Sequence, residues 1–209
     1  MPPDTVNPWE TVPLSAYETH MADPHVGQLQ VLSALMKRQL GRHSAKTVCV
    51  LGVAGGNGLE HIDPARVQKV YGVDISADYL KACAERFSAL GDRLELVCLD
   101  LSDETNRLPQ ADLVIANLLI EYVGVETFAR QMASSRPAVV CCAVQQSGGA
   151  DFVSASPCAN LLQCLDVVHQ DVEPEALVAA MARVGYVPTF REECPLLGGK
   201  KLVCIDFVR

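Results

Sequence analysis

Residues 48–62 read VCVLGVAGGNGLEHI, and this run decides the fold. Val48, Cys49, Val50 and Leu51 are apolar without alternation, which is the pattern of a strand buried on both faces. Four glycines and an alanine follow within the seven residues from Gly52 to Gly58, so the chain can turn sharply there and let a ligand approach its backbone. Open α/β sheets bind nucleotide-like ligands at such a turn, at the carboxyl end of a strand.

Working outward, the same kind of apolar run recurs at 70–73, 94–99, 113–116 and 138–144, and these runs alternate with helical patterns. Helices are predicted near Leu59, over 76–90 with Ser76 as cap and Asp78 in the first turn, over 121–134 and over 174–184. Ahead of the glycine turn, Val26, Leu29, Leu32, Leu35, Met36 and Leu40 repeat at helical spacing; Asp23 and Pro24 suit the start of that helix and Gly41 its end. The first 22 or so residues read as an irregular arm. At the other end, 186–194 and 201–208 flank a Pro-Leu-Leu-Gly-Gly turn and predict an antiparallel hairpin. The fold class is therefore α/β: a doubly wound, mostly parallel seven-stranded sheet with a C-terminal antiparallel hairpin. One domain is expected over 1–209, with the arm and first helix in 1–44, the ligand-binding core in 45–209, and a long aperiodic stretch at 145–171 suited to a functional loop.

Composition excludes several classes. With 49% apolar and 20% charged residues the chain can bury a core, so disorder is excluded as its main state. The apolar stretches at 137–144 and 113–125 are short or broken by Asn117 and Glu121, so no membrane span is expected. The start, MPPDTVNPWE, has acids and prolines where a secretory signal needs a basic and then an apolar segment, which predicts a cytoplasmic protein. A net charge of -8 disfavours a long polyanion, so nucleic acid is an unlikely partner. Nine cysteines lack C-x-x-C pairs, and most, such as Cys49, Cys98, Cys141, Cys142 and Cys204, sit in apolar runs; they read as buried free thiols. The histidines show no ligand spacing either, so no metal is expected.

The glycine turn selects among ligands. Counted from Gly52, the third position is Ala54 and the sixth is Asn57, so the G-x-G-x-x-G of dinucleotide sites is missing. Leu59 and Glu60 stand where a phosphate loop needs Lys and Ser or Thr. The second strand ends in Asp74, placed for the two hydroxyls of a ribose. The third runs out at Asp100-Leu101 and the fourth at Asn117-Leu118-Leu119.

With these residues the chain resembles the class I S-adenosylmethionine-dependent methyltransferases from Val48 to Phe207, and its wording LGVAGGNGLEH and ANLLIEYVG looks like small bacterial members. The resemblance implies S-adenosylmethionine as cofactor, with Gly52, Ala54, Gly56 and Asn57 around its methionine and ribose. It further implies Asp74 at the ribose, Ile75 among the cofactor-binding residues, Asp100 with Leu101 at the adenine, and Asn117 beside the methyl donor. Two positions depart from the family pattern: Val50 stands where an acidic residue is usual, and Ala54 replaces a glycine.

Methyl transfer from a sulfonium needs alignment and exclusion of water, and needs a base only when the acceptor carries a proton. Acceptor-side candidates are Tyr17, Glu18 and His20 in the arm, Glu121 and Tyr122 after the fourth strand, and His169 in the loop; each also has a plain reading in packing, capping or surface solvation. Tyr17 is also expected at the cofactor, because the arm from Tyr17 to Met21 and the loop 145–171 both lie where a lid could close. NLLIEY after Ala116 lacks the [DNS]-P-P-[YFW] turn that family members use to methylate exocyclic amines of bases or glutamine amides. A small-molecule acceptor is the simplest reading, with a protein side chain behind it. The alternatives are a non-catalytic S-adenosylmethionine-binding domain and a nicotinamide oxidoreductase, the second of which needs a pyrophosphate loop this turn does not make.

Overall fold

The computed structural model describes residues 6–149 and 151–209; residues 1–5 of the predicted arm and Ala150 of the predicted loop lie outside them. Seven strands form one sheet: β1 Thr47–Leu51, β2 Lys69–Asp74, β3 Leu94–Cys98, β4 Leu113–Asn117, β5 Val139–Gln146, β6 Val187–Pro195 and β7 Lys201–Val208. Their order is β3-β2-β1-β4-β5-β7-β6. The first five are parallel, and β7 runs antiparallel between β5 and β6. The predicted fold class is the observed one.

The unbroken apolar runs follow from burial on both faces. Cys49 and Leu51 of β1 and Val114 and Ala116 of β4 pack toward Phe128 and Met132 of α5 (Val125–Ser135) and Leu177 and Met181 of α7 (Pro174–Arg183). Val48, Val50, Leu113 and Ile115 point the other way, toward Met36 of α2 (Gln28–Arg42) and Leu80 and Cys83 of α3 (Ala77–Arg86). All nine cysteines are free thiols. Five of them are buried, where desolvation pushes the Cys49 thiol up to about 12. Cys98 is exposed, against expectation, because β3 is an edge strand.

Several boundaries differ from expectation for local reasons. The arm contains a helix, α1 (Leu14–Ala22), preceded by a 3-10 turn over Pro8–Glu10 that Asn7 and Glu10 cap reciprocally. Asp23 does not open α2: its carbonyl accepts the N–H groups of Val26 and Gly27, its side chain accepts that of His25, and the helix starts after Gly27 at φ 64. Gly41 does not stop α2, because Arg42 is held in the last turn by Asp206 of β7. The helix expected over 121–134 is two, α4 (Ile120–Val123) and α5, broken at Gly124. The helix expected over 76–90 ends at Arg86 and gives way to a 3-10 segment, Ser88–Arg93. Within the long loop lie a short helix, α6 (Ala159–Leu162), and a 3-10 turn, Gln163–Val167.

Candidate active site

The turn after β1 is stitched to the end of β2: the N–H groups of Gly52 and Val53 donate to the Val73 carbonyl at 2.8 and 3.1 Å. Gly52 has φ 66, and a Cβ there would press on the Leu119 side chain at 3.2 Å. Asp74 closes the stitching, Oδ2 accepting the Ala54 N–H at 2.9 Å and Oδ1 the Ser76 N–H at 3.0 Å. Burial raises the Asp74 carboxyl above its ordinary value, with the Ser76 and Ala54 N–H groups pulling against the shift. A carboxylate offers about four acceptor sites, so lone pairs remain for a ligand.

Three cavities meet above this edge of the sheet. The first, of about 690 Å³ measured to its open mouth, lies over Ala54, Asp74, Ile75, Asp100, Leu101 and Leu119, with Trp9, Tyr79 and Tyr122 over it. The second, about 580 Å³, adjoins it past Gly52, Ala54 and Asn117 and is bounded by Glu18, Gly55, Asn57 and Leu29. A third, about 410 Å³, lies on the other side of Tyr122 and Leu118, among His20, Met21, Phe152 and Leu162. Tyr17 lines all three. It stacks on Tyr79 at 6.4 Å between ring centroids and meets Trp9 edge-on at 5.5 Å.

Backbone strain collects here. Of the three non-glycine residues with positive φ among the described residues, Ala54 (47°) and Leu118 (54°) line the first cavity, and Arg136 is a helix cap. Such conformations cost of order 1–3 kcal/mol and cluster at functional sites.

Tyr17, Gly52, Ala54, Asp74, Ile75, Asp100, Leu101, Asn117 and Tyr122 thus share one cavity. Others fall elsewhere. Gly56, at φ 94, has Phe87 and Cys83 packed where a Cβ would stand and lines neither of the first two cavities. Asn57 borders the second cavity but gives its amide to the Leu29 carbonyl at 3.0 Å. The Asn117 side chain is turned into a reciprocal amide pair with buried Gln39, at 3.0 and 2.9 Å. Glu121 lies beneath the site, fully buried, accepting the Gln145 N–H. Glu18 forms an ion pair with Arg86 across Gly55. His169 packs on Phe152 at 3.7 Å between centroids. Trp9 and Tyr79 line the first cavity without having been singled out; of the two, Trp9, the sole tryptophan, carries a signal of its own in the sequence.

A family model described as a methyltransferase domain matches residues 48–138, the stretch that holds the glycine turn, Asp74, Asp100 and Asn117. Residues 48–138 carry a methyltransferase domain. No curated protein matches the sequence. Among solved structures, the N-methyltransferase NodS from Bradyrhizobium japonicum in complex with S-adenosylhomocysteine is 11% identical, with a TM-score of 0.69 over 98% of this chain and 99% of that one. Magnesium protoporphyrin IX methyltransferase from Synechocystis, with the same product bound, is 14% identical at a TM-score of 0.69, over 96% and 95%. Geranyl diphosphate C-methyltransferase from Streptomyces coelicolor is 13% identical at 0.65, over 88% and 81%.

The residues lining the first two cavities suit S-adenosylmethionine, whose demethylated product is bound in two of these neighbours. Asp74 keeps free acceptor sites of the kind ribose hydroxyls need, Ile75 and Leu101 add apolar surface in the same cavity, and the turn at Gly52 presents bare backbone. Two groups of metal-ligating side chains lie away from the cavities, His43 with Cys141 and Asp206, and Glu192 with Cys194 and Cys204. In each, an arginine already sits on the carboxylate, Arg42 on Asp206 and Arg38 on Glu192. Among the described residues no helix is long and apolar enough to cross a membrane.

Proposed function

We propose that this methyltransferase methylates a small organic molecule, with S-adenosylmethionine lying across the first two cavities and the acceptor in the third. The observation that carries the reading is that Tyr17 borders all three, so one side chain stands where cofactor and acceptor must meet. The solved relatives support a small acceptor, since their names include a porphyrin and a prenyl diphosphate. In this reading Asp74 and Ile75 hold the ribose, Asp100 and Leu101 the adenine end, and Gly52 and Ala54 the methionine. Asn117 contributes through its backbone, because Gln39 occupies its side chain. The 1–209 chain acts as one unit, roofed by α1 and the 145–171 loop. When bound, S-adenosylmethionine supplies an already activated methyl group, which leaves alignment and exclusion of water to the protein.

Titration calorimetry tests the cofactor half. S-adenosylmethionine and S-adenosylhomocysteine should bind in the micromolar range, about -8 kcal/mol. Asp74→Asn should weaken both by roughly 1.5 to 3 kcal/mol, the worth of hydrogen bonds to a charged acceptor. Unchanged affinity would remove Asp74 from the site. With methyl-labelled cofactor and cell extract, label should appear among small molecules; label in protein would move the acceptor to a side chain.

A further inference from the structure

The third cavity is walled by Trp9, Tyr122, Met21, Phe152, Leu162 and Leu165, and among the described residues no Lys, Arg, Asp or Glu lines it. Its polar groups are His20, the Tyr17 and Tyr122 hydroxyls, the Trp9 indole and the amides of Gln28 and Gln145, and those amides bond to each other. Burial keeps both phenols protonated and the indole only donates, which leaves the imidazole as the group able to take a proton. His20 is buried, and its Nδ1 lies 2.7 Å from the Ser156 hydroxyl. Among the described residues its Nε2 has no hydrogen-bond partner, yet it is not among the sealed, unpartnered atoms of the interior.

We propose that this cavity takes a neutral, largely apolar organic molecule bearing one hydroxyl or amine hydrogen, and that His20 Nε2 receives that proton during methyl transfer. The proposal rests on the cofactor reading above. The acceptor's lone pair forms the new bond to the methyl carbon while the carbon–sulfur bond breaks and leaves its electron pair on sulfur. The O–H or N–H proton passes to Nε2, so the positive charge lost at sulfur reappears on the imidazole. A carboxylate acceptor would enter an apolar cavity with no cation to meet it, at a high desolvation cost.

The surroundings hold the ring for this task. Ser156 Oγ also accepts the Cys158 N–H at 3.2 Å, which fixes the hydroxyl, and Nδ1–H can donate to its remaining lone pair. Lys200, itself buried, anchors the same loop by donating to the Phe152 carbonyl and Ser154 Oγ, both at 2.8 Å. Desolvation first and the Lys200 charge second lower the ring's affinity for a proton, with Asp23 opposing, which keeps His20 neutral and ready to accept. Tyr17 and Tyr122 border the same cavity.

The test uses the full chain, labelled with nitrogen-15 in histidine and saturated with S-adenosylhomocysteine. Magnetic resonance should show the hydrogen on Nδ1, a bare Nε2, and a titration midpoint below the ordinary imidazole value of about 6.5. Ser156→Ala should abolish the preference for Nδ1–H. Transfer of labelled methyl is then followed to 1-naphthol, 1-naphthylamine and 1-naphthoic acid. The naphthol or the amine should be methylated and the acid should not. His20→Gln should slow transfer by about a hundredfold or more with S-adenosylhomocysteine affinity unchanged. The proposal is overturned by a hydrogen on Nε2, by methylation of the acid, by refusal of all three probes, or by His20→Gln at the wild-type rate. A chain that does not bind S-adenosylhomocysteine at all defeats the cofactor reading and this proposal with it.

Discussion

Glu121 is fully buried, with Oε1 accepting the Gln145 N–H at 2.7 Å and Oε2 left without a partner among the described residues. Desolvation pushes its carboxyl from 4.5 up to about 7, against the pull of the Gln145 N–H. The folded chain therefore binds this proton more tightly than the unfolded one. Its contribution to stability is present below pH 4.5 and is lost as pH rises through about 7. A shift of this size corresponds to about 3 kcal/mol at most. Urea unfolding of the wild type should lose stability between pH 5 and pH 8 relative to Glu121→Gln, by roughly 2 to 3 kcal/mol. Parallel pH dependence in the two proteins would mean the carboxyl is ionised in both states. Other residues show how far the site was legible. Asp74 and Asp100 could be placed because any polar residue at the end of a parallel strand emerges at one known edge. The fate of Asn117 could not, since its partner Gln39 is 78 positions away in sequence.

At the scale of elements, the strands were readable because double burial leaves continuous apolar runs, and α1 was not because nine residues give barely two turns of pattern. A helix that short is marginal alone, and its order comes from what it touches. Ala16, His20 and Met21 are buried, Tyr17 lies between Trp9 and Tyr79, and the Tyr79 hydroxyl donates to the Val12 carbonyl at 2.9 Å. The Glu18–Arg86 pair adds little by comparison, because both side chains keep part of their solvent and exposed pairs contribute about 0 to 1 kcal/mol. Aromatic packing therefore sets how firmly α1 lies over the cavities. Saturation with S-adenosylhomocysteine should slow hydrogen exchange across 14–22, and Tyr17→Ala should weaken binding about tenfold, or 1.4 kcal/mol. Equal exchange with and without ligand, together with unchanged affinity, would leave α1 a bystander.

For the molecule as a whole, the join between α2 and the sheet rests on Asp206, a fully buried carboxylate on β7. It accepts from Arg42 Nε and His43 Nε2, each at 2.8 Å, while Arg42 stacks over Phe190. Burial alone would raise its carboxyl, but the hydrogen bonds of Arg42 and His43 prevail and hold it below its ordinary value. Stability from this group is thus present above the unfolded carboxyl's range and is lost as pH falls through the folded value. Asp206→Asn should cost about 2 to 4 kcal/mol in denaturant titration at pH 7, below the full cost of breaking a buried pair since Arg42 is part-exposed. A cost under about 0.5 kcal/mol would assign the join to packing alone. The hairpin that presents Asp206 was legible from its turn, and its insertion into the sheet came with the family resemblance. That insertion has a bearing on biosynthesis. β6 emerges from the ribosome before β7 yet touches the sheet only through it. Until 201–208 have been made, β5 shows an open edge and β6 has nothing to pair with, so the nascent chain must be kept from pairing with its neighbours until this strand arrives.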